Sequence, residues 1–454
     1  MVGGNQGGSG RLIVSCKRVI CLAMFVLLCL SAGAFAHCLL AWNGTQAWTV
    51  PVSLPGDASV RLKVAPVLRA ATSRWGRRIL DGTTWRVHAG VVRIADRNDR
   101  LVIECAPCEL RIPKLSASSI AMSNLSMELQ RDGNRVSGWL SLAENSAEQR
   151  ILFRGELSEQ ALMLDWILAS TELHGLFNLV HSVVPEVRRA TIQGRISATG
   201  TLQLPSFNWS VVPQVEGFEV YGLGTERLRY GKFSLTCRDQ DGSLKQRIVG
   251  DGMPGWVALN RMGRWMPRAV LAAEDARFYT HPGYDLLELV PLLANPDRNG
   301  QRGASTVTQQ LAKNFFVGAE ATGARKLREL LYAVEMERTL GKRRILALYL
   351  NTVDWGPGLC GIADASKAYF ARAPARLDTA QGIWLAGILR NPHRAYRNEY
   401  LTGTIDRQRL DWVASRMPRR AAKNLGSSVE FAGFPRRVEL AEAGTSAAAG
   451  NSNY

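Results

Sequence analysis

Histidine is scarce in this chain, and acidic residues are outnumbered by basic ones. The 6 histidines are scattered along 454 residues, so a zinc site would lack partners for its ligands. Lys and Arg total 56 against 39 Asp and Glu, which gives a formal net charge of +17. That balance favours anionic partners, and nucleic acid, anionic lipid and a phosphorylated substrate all qualify. The 46% hydrophobic content excludes wholesale disorder, and the length suits two domains.

Charge is absent from one N-terminal stretch. Val19 to Trp42 contains no Asp, Glu, Lys or Arg and is long enough to cross a bilayer. Because no basic residue lies between Arg18 and Arg61, the positive-inside bias predicts a cytoplasmic segment 1–18 and a transmembrane signal-anchor at 19–42. A cleaved signal peptide is the alternative, since residues 34–36 (Ala-Phe-Ala) have the small-x-small form of a cleavage site. Either way the bulk of the protein is exported.

Four of the 8 cysteines lie in or beside this stretch, and four lie beyond it. Cys105 and Cys108 are separated by Ala-Pro and could form a local disulfide in an oxidising compartment. Cys237 and Cys360 stand alone in the sequence. We interpret all four as structural residues.

Short β-rich segments dominate residues 43–245. Turn residues punctuate them, and Asp81-Gly82, Asp132-Gly133 and Gly194 predict turns or bulges. We therefore predict a mainly β extracytoplasmic domain with one helix near Leu162 to Val183. The predicted strands are Val60 to Val67, Trp85 to Ile94, Leu101 to Ile112, Arg135 to Leu142 and Thr191 to Leu204.

Apolar residues then recur at three- and four-residue steps, which predicts a mainly helical domain at 246–410. Beyond it, residues 411–454 are first basic and then poor in large apolar residues, and we expect a disordered tail. The predicted fold class is therefore α+β overall.

Five clusters in the helical domain carry polar side chains. In the first cluster, adjacent carboxylates follow an apolar helix. In the second, hydroxyl and amide side chains supply donors and acceptors suited to sugar hydroxyls and phosphate oxygens. Taken singly, the first cluster could be a solvated helix end and the third a surface salt bridge. The fourth and fifth look structural in isolation. The clusters are Ala272 to Asp285, Arg302 to Asn314, Arg325 to Asn351, Trp355 to Phe370 and Gln381 to Pro392.

In this order and spacing, the clusters resemble the glycosyltransferase domain of class A penicillin-binding proteins and monofunctional biosynthetic peptidoglycan transglycosylases, glycosyltransferase family 51. The resemblance covers roughly residues 250–410. It implies a lysozyme-like helical fold in which Glu274 deprotonates the acceptor 4-hydroxyl and Glu329 is the second catalytic carboxylate.

The same resemblance implies the remaining site residues. Phe278, His281 and Gly283 would form a structural turn, and cations would neutralise the leaving pyrophosphate. No cofactor is required, and a Mg²⁺ ion could accompany the pyrophosphate. The side chains it places at the substrate are Asp275, Arg302, Ser305, Thr306, Gln309, Gln310, Lys313, Arg325, Arg328 and Asn351.

Several positions depart from the pattern or leave alternatives. Ala321 stands where relatives carry arginine, and Gln381 stands where a glutamate is typical. Glu335 and Glu337 could compete with Glu329, although we interpret both as helix-surface acids. The apolar run Leu286 to Ala294 is either a membrane-dipping segment or part of the core.

The expected function is polymerisation of lipid II into glycan strands, with lipid II and the growing strand as substrates. The expected location is the bacterial inner membrane, with a single pass and the catalytic domain facing the periplasm. We expect no nucleic-acid partner, whereas cell-wall synthesis proteins could bind the β domain. Ser-x-x-Lys and Lys-Thr-Gly motifs are absent, so no transpeptidase activity is expected. A glycan-cleaving enzyme and a non-catalytic envelope scaffold remain alternatives.

Overall fold

A computed structural model describes residues 47–53, 59–113, 115–144, 147–239, 241–286, 305–318, 322–397 and 406–418. Its strands are β1 Thr49–Ser53, β2 Ser59–Lys63, β3 Thr84–Val87, β4 Gly90–Arg97, β5 Arg100–Leu110, β6 Ile120–Met122, β7 Asn124–Asp132, β8 Arg135–Glu144, β9 Ala147–Leu157, β10 Leu162–Glu172, β11 Thr191–Leu204, β12 Asn208–Tyr221, β13 Lys232–Arg238 and β14 Leu244–Gly250. Its α-helices are α1 Val64–Thr72, α2 Arg74–Leu80, α3 Leu173–Asn178, α4 Met266–Glu274, α5 Val307–Ala312, α6 Gly323–Thr352, α7 Ile362–Phe370, α8 Thr379–Ile388, α9 Pro392–Ala395 and α10 Arg407–Ser415.

The N-terminal half is built on one large antiparallel sheet. Its strands follow the order β12-β11-β10-β9-β8-β7-β5-β4-β3, and β6 pairs with β5. Most neighbours are consecutive in sequence, so hairpins make the sheet. The predicted turn at Asp132-Gly133 joins β7 to β8, and the predicted irregularity at Gly194 is a bulge between Gln193 and Arg195. The mixed α and β architecture with a large sheet is therefore confirmed.

The predicted helix at Leu162 to Val183 is mostly wrong. Residues Leu162–Glu172 form strand β10, which pairs with β9 on one side and β11 on the other. Met163, Asp165 and Ile167 are exposed while their neighbours are partly buried, an alternation that a strand produces. Ladder pairing on both sides outweighs the helical propensity of this segment, and only the short α3 is helical.

Two predicted strands have different bounds in the structure. Val60 to Val67 ends as a strand at Lys63 and continues as helix α1, where Pro66 falls in the first turn and its missing N–H costs no hydrogen bond. Trp85 to Ile94 is divided into β3 and β4 by a turn. The strand predicted at Thr191 to Leu204 has the bounds of β11.

Helices α4 to α10 form the second half and share a core with the end of the sheet. Val187 and Leu223 from the β region belong to the same apolar cluster as Leu331 and Val334 of α6. Arg344 of α6 also donates to the Leu228 carbonyl. The two halves therefore pack as neighbours along α6, the longest helix among those described.

Two disulfides are present among the described residues. Cys105 bonds to Cys108 within β5, and Cys237 of β13 bonds to Cys360. The second bridge, which sequence reasoning did not identify, ties the β13–β14 hairpin to the segment before α7.

Three predicted segments lie wholly or partly outside the described residues. The signal-anchor at 19–42 and the apolar run Leu286 to Ala294 lie outside the described residues, apart from Leu286. Within the described ranges, no helix combines the length and apolar character of a membrane crossing. Of the segment 411–454, predicted to be first basic and then disordered, residues 411–418 are described, and there α10 continues to Ser415 with Val413 fully buried.

Candidate active site

A cleft of about 530 Å³ lies between the end of α4, the start of α5, the first turns of α6 and helix α10. Basic side chains outnumber acidic ones in its lining. The basic residues are Arg277, Lys313, Arg325, Lys326, Arg390, Arg409 and Arg416, and the acidic ones are Glu274, Asp275, Asp285 and Glu329. Such a lining suits a substrate that carries negative charge.

Glu274 is the last residue of α4, and its carboxylate lies at the cleft wall with 13% of the side chain exposed. Gln310 Nε2 donates to one carboxylate oxygen at 3.0 Å, and an Arg409 guanidinium nitrogen lies 3.5 Å from the other. Burial raises the pKa of Glu274, while Gln310 and Arg409 act in the opposite direction. A carboxylate with a raised pKa is a better proton acceptor at neutral pH than a solvated one.

Gln310 is itself held in place by a tyrosine. Tyr349 of α6 donates its hydroxyl proton to Gln310 Oε1 at 2.9 Å. Burial raises the pKa of Tyr349 well above its ordinary value, so the phenol stays protonated and acts as a donor. This contact orients the amide so that its NH₂ group faces Glu274.

Helix α4 ends in a tight turn that Asp275 stabilises. Its carboxylate contacts His281 Nε2 at 2.8 Å and accepts from the Val307 amide at 2.9 Å. Because His281 Nδ1 accepts from the Gly283 amide, the ring proton is on Nε2 and is donated to Asp275. His281 is 8% exposed and makes the contacts of a structural residue.

The turn requires glycine at position 283. Gly283 has φ of 94°, and a Cβ there would lie 2.9 Å from the Ala333 carbonyl oxygen. Its own carbonyl accepts from Thr306 Oγ1 at 2.7 Å. Nearby, the ring of Phe278 is buried in the core. The residues predicted as a structural turn therefore lie together at the join between α4 and α5.

A capping box begins helix α5. Thr306 Oγ1 accepts from the Gln309 amide, and Gln309 Oε1 accepts from the Thr306 amide. The box fixes the first turn of α5 and so places Ser305 and Gln310 on the cleft wall. Lys313 follows in a π-helical turn and lines the cleft with an exposed side chain.

Glu329 lies on the opposite wall, on α6, and 1% of its side chain is exposed. Arg325 Nε lies 3.1 Å from one carboxylate oxygen, and Lys326 Nζ lies 2.6 Å from the other. Lys326 also contacts Ser305 Oγ across the cleft. Three- and four-residue helical spacing brings these groups to one face, so the carboxylate sits between two cations.

The cleft residues lie within a segment of the chain that matches a known protein family. The model described as Transglycosylase matches residues 242–418. The chain is 41% identical to the biosynthetic peptidoglycan transglycosylase of Shewanella amazonensis over 163 residues. These residues make up 36% of this chain and 66% of that protein. Over another 163-residue match it is 39% identical to the protein of the same name from a Marinomonas species, covering 36% of this chain and 72% of that one. The chain belongs to the transglycosylase family.

The match to these transglycosylases spans about two thirds of their length. The suspected resemblance is thus confirmed at the level of family. Strands β1 to β13 lie outside the residues that the family model matches.

Three residues predicted to contact substrate in this transglycosylase lie away from the cleft lining. Gln309 completes the capping box, and Asn351 bonds to the backbone of Val257 and Ala347. Arg328 points to the β region, where its Nε is 2.9 Å from both carboxylate oxygens of Glu186. Their hydrogen-bonding capacity is used within the fold. Arg302 lies outside the described residues.

The interpretation of Glu335 and Glu337 as surface acids is wrong. Glu335 is fully buried and accepts from the amides of Leu223 and Thr225, at 2.8 and 3.1 Å. Glu337 accepts from Thr308 and Lys342. Each carboxylate joins segments distant in sequence, and neither lines the cleft.

Sequence reasoning missed several cleft residues, among which Lys326 and Arg409 touch the two carboxylates directly. Lys326 could have been found, since it lies three residues before Glu329 on a predicted helix. Arg409 carries no comparable signal, because it is 135 residues from Glu274. The others are Arg277, Arg390, Trp412 and Arg416.

Gln381, noted for departing from the family pattern, has structural contacts, and so has Asp364. Gln381 forms a capping box with Asp378 at the start of α8, and Asp364 pairs with Arg247 of β14. An amide oxygen fills this capping role as a carboxylate would, which explains why glutamine is tolerated at position 381.

Proposed function

We propose that the chain polymerises lipid-linked disaccharide, lipid II, into peptidoglycan glycan strands and releases polyprenyl pyrophosphate. The observation that carries this proposal is the cleft, where partly buried Glu274 lies on one wall and Glu329 lies between two cations on the other. The names of the relatives, biosynthetic peptidoglycan transglycosylases, support it.

Glu274 is the proposed base. In this step the acceptor 4-hydroxyl transfers its proton to Glu274 as its oxygen attacks the anomeric carbon of the donor. The bond from that carbon to the pyrophosphate oxygen breaks, and the leaving group takes the electron pair, with inversion at carbon. Gln310 and Tyr349 hold the carboxylate for this role through the hydrogen bonds described above.

The cations near Glu329 are proposed to bind the pyrophosphate. Lys313, Arg325 and Lys326 would neutralise the charge that develops on the leaving oxygen, the electrostatic contribution that such a reaction needs most. Glu329 contacts Arg325 and Lys326 and so fixes where their charge is presented. Its role is therefore to position cations around the donor.

No step of the proposal requires a resident metal. Within the described residues, no group of three or more His, Cys, Asp or Glu side chains is arranged to hold one. A magnesium ion that entered with the substrate would take its ligands mainly from pyrophosphate oxygens and water, as Mg²⁺ commonly does.

The proposal places the enzyme at a membrane. The uncharged run Val19 to Trp42 would anchor it in the bacterial inner membrane with the cleft facing the periplasm. A basic surface would be attracted to anionic lipid, where a substrate with a polyprenyl tail resides. The β region would be available to cell-wall synthesis proteins.

Purified full-length protein tests the activity. We expect wild type to convert lipid II to glycan strands and Glu274→Gln to lower the rate about 1,000-fold, because the base is lost. Glu216→Gln, at an exposed position on β12, is the matched control and should behave as wild type. The measurement is glycan formation from labelled lipid II, followed by electrophoresis of the strands.

Other outcomes point to other functions. Robust polymerisation by Glu274→Gln would overturn the assignment of the base. Release of muropeptides from purified cell wall without lipid II would favour a lytic enzyme. A wild-type protein with neither activity, whose Glu274→Gln variant supports normal growth, would favour an envelope scaffold.

A further inference from the structure

Helix α10 follows the last of the five sequence clusters, yet it supplies a cation to the proposed base. We propose that Arg409 is a positioning residue that holds the Glu274 carboxylate ionised and aimed into the cleft. The inference rests on the proposed function, since it assumes that Glu274 accepts the acceptor proton.

The contact is specific and largely shielded from water. An Arg409 guanidinium nitrogen lies 3.5 Å from Glu274 Oε1 and equally far from the Ala273 carbonyl oxygen. The Arg409 and Glu274 side chains are each 13% exposed. The guanidinium carbon also lies 4.3 Å from the centre of the Trp412 ring, a stacking geometry that limits its movement.

Helix α10 packs against the core, which fixes the position of the Arg409 backbone. Leu410 and Val413 are buried in the main apolar cluster. The helix approaches α8 closely at Gly387, where a Cβ would lie 2.8 Å from Leu410 Cδ2 and 3.8 Å from Arg409 Cγ. Helices α8 and α10 are therefore in close contact beside Arg409.

The other described groups around Glu274 do not provide a positive charge of this kind. Burial raises the pKa of Glu274, and Asp275, which follows it at the end of the same helix, raises it further. Gln310 of α5 offers a neutral hydrogen bond, and buried Tyr349 of α6 bonds to that amide. Lys313 and Arg390 also line the cleft, but Arg409 is the cation in contact with Glu274 among the described residues.

The two groups affect each other reciprocally. Burial lowers the pKa of Arg409, and Glu274 opposes that shift. Loss of Arg409 would remove an interaction that lowers the pKa of Glu274, so the carboxylate would bind its proton at higher pH. Since a protonated carboxyl cannot act as the base, the acidic limb of the activity profile should move to higher pH.

The main test is the pH dependence of kcat for lipid II polymerisation. Arg409→Gln should move the acidic limb up by about one pH unit and lower the rate about tenfold below that limb, with recovery at higher pH. Arg409→Lys should retain most of the wild-type profile. Arg407→Gln, at an exposed position on the same helix, is the control and should leave the profile unchanged.

A second variant keeps the charge and loosens its position. Trp412→Leu removes the ring whose centre lies 4.3 Å from the Arg409 guanidinium carbon, so it should shift the profile in the same direction as Arg409→Gln and to a smaller extent. If Arg409→Gln is too unstable to purify, the Trp412→Leu and Arg409→Lys profiles decide the matter. Wild-type profiles for folded Arg409→Gln and Trp412→Leu would overturn the inference.

A readout independent of activity separates this inference from the proposed function. The carboxyl of Glu274 can be titrated by ¹³C NMR of glutamate-labelled protein and identified by its loss in Glu274→Gln. We expect a higher titration midpoint in Arg409→Gln than in wild type. If wild type forms no glycan, the proposed function fails, while an unchanged midpoint would overturn the role of Arg409.

Discussion

Glu274 and Glu329 are carboxylates of one cleft placed in opposite surroundings. Glu274 lies between a neutral amide and one guanidinium 3.5 Å away, and burial raises its pKa. Glu329 is more deeply buried and lies within 3.1 Å of both an arginine and a lysine. The first setting suits a group that takes up a proton, and the second suits a group that stays charged and organises cations.

The two settings also have different origins along the chain. The cations at Glu329 come from the preceding turn of its own helix, whereas the partners of Glu274 come from α5 and α10. A local sequence change can therefore alter the Glu329 side, while the Glu274 side depends on how separate helices pack. Predictions for each carboxylate can test this division of roles.

After that of Glu274→Gln, the largest expected effect in this comparison is that of Glu329→Gln. The amide would no longer hold Arg325 and Lys326, so the rate of polymerisation should fall about 100-fold or more, as for loss of a transition-state electrostatic group. The acidic limb should keep its wild-type position, because Glu274 is unaltered. The pH profile of kcat with lipid II is the measurement.

Glu226→Gln, at an exposed position, serves as control for Glu329→Gln and should leave both rate and profile unchanged. A shift of the acidic limb in Glu329→Gln, with Glu274 intact, would mean that Glu329 is the titrating base. The roles assigned to the two carboxylates would then have to be exchanged.

A smaller effect, on stability, is expected at Arg328, which precedes Glu329 on α6 and contacts Glu186 of the β region. Glu186→Gln would leave Arg328 without its carboxylate partner in a site where Glu186 is 2% exposed. Breaking such a pair should lower the free energy of unfolding by about 3 kcal/mol. Thermal or denaturant unfolding of the full chain measures this.

The matched control for Glu186→Gln is Glu172→Gln. Glu172 pairs with Arg195 at the surface, where both side chains are about half exposed, so its loss should cost less than about 1 kcal/mol. Equal stability losses in the two variants would contradict a buried coupling between the β region and α6. A Glu186→Gln, Arg328→Gln double variant should lose less than the sum of the single losses.

The sequence predicted the parts of this comparison that depend on local spacing. Arg325 and Glu329 are four residues apart, which predicts one helical face, and the β-rich composition of Thr191 to Leu204 predicts the bounds of β11. Asp132-Gly133 was expected as a turn. In each case the residues that decide the outcome lie within a few positions of one another.

Contacts between distant segments were not predictable in the same way. Arg328 has the helical position of a substrate-binding cation, yet its partner Glu186 lies 142 residues earlier. Glu335 has the spacing of a surface acid, yet it is fully buried and its carboxylate accepts from two backbone amides of the β region. Leu162–Glu172 is a strand because two neighbours pair with it, and no feature within the segment identifies them.

The smallest expected effect concerns the third group in the Glu274 network. Tyr349→Phe removes the hydroxyl that donates to Gln310 and leaves the amide free to rotate, so the rate should fall only a few-fold and stability by about 1 kcal/mol. Lipid II polymerisation and thermal unfolding measure the two effects, with Tyr230→Phe as control because Tyr230 is 78% exposed. A loss as large as that of Glu274→Gln would mean that the phenol itself takes part in proton transfer. An unchanged rate would mean that Gln310 is oriented by its contact with Glu274 alone.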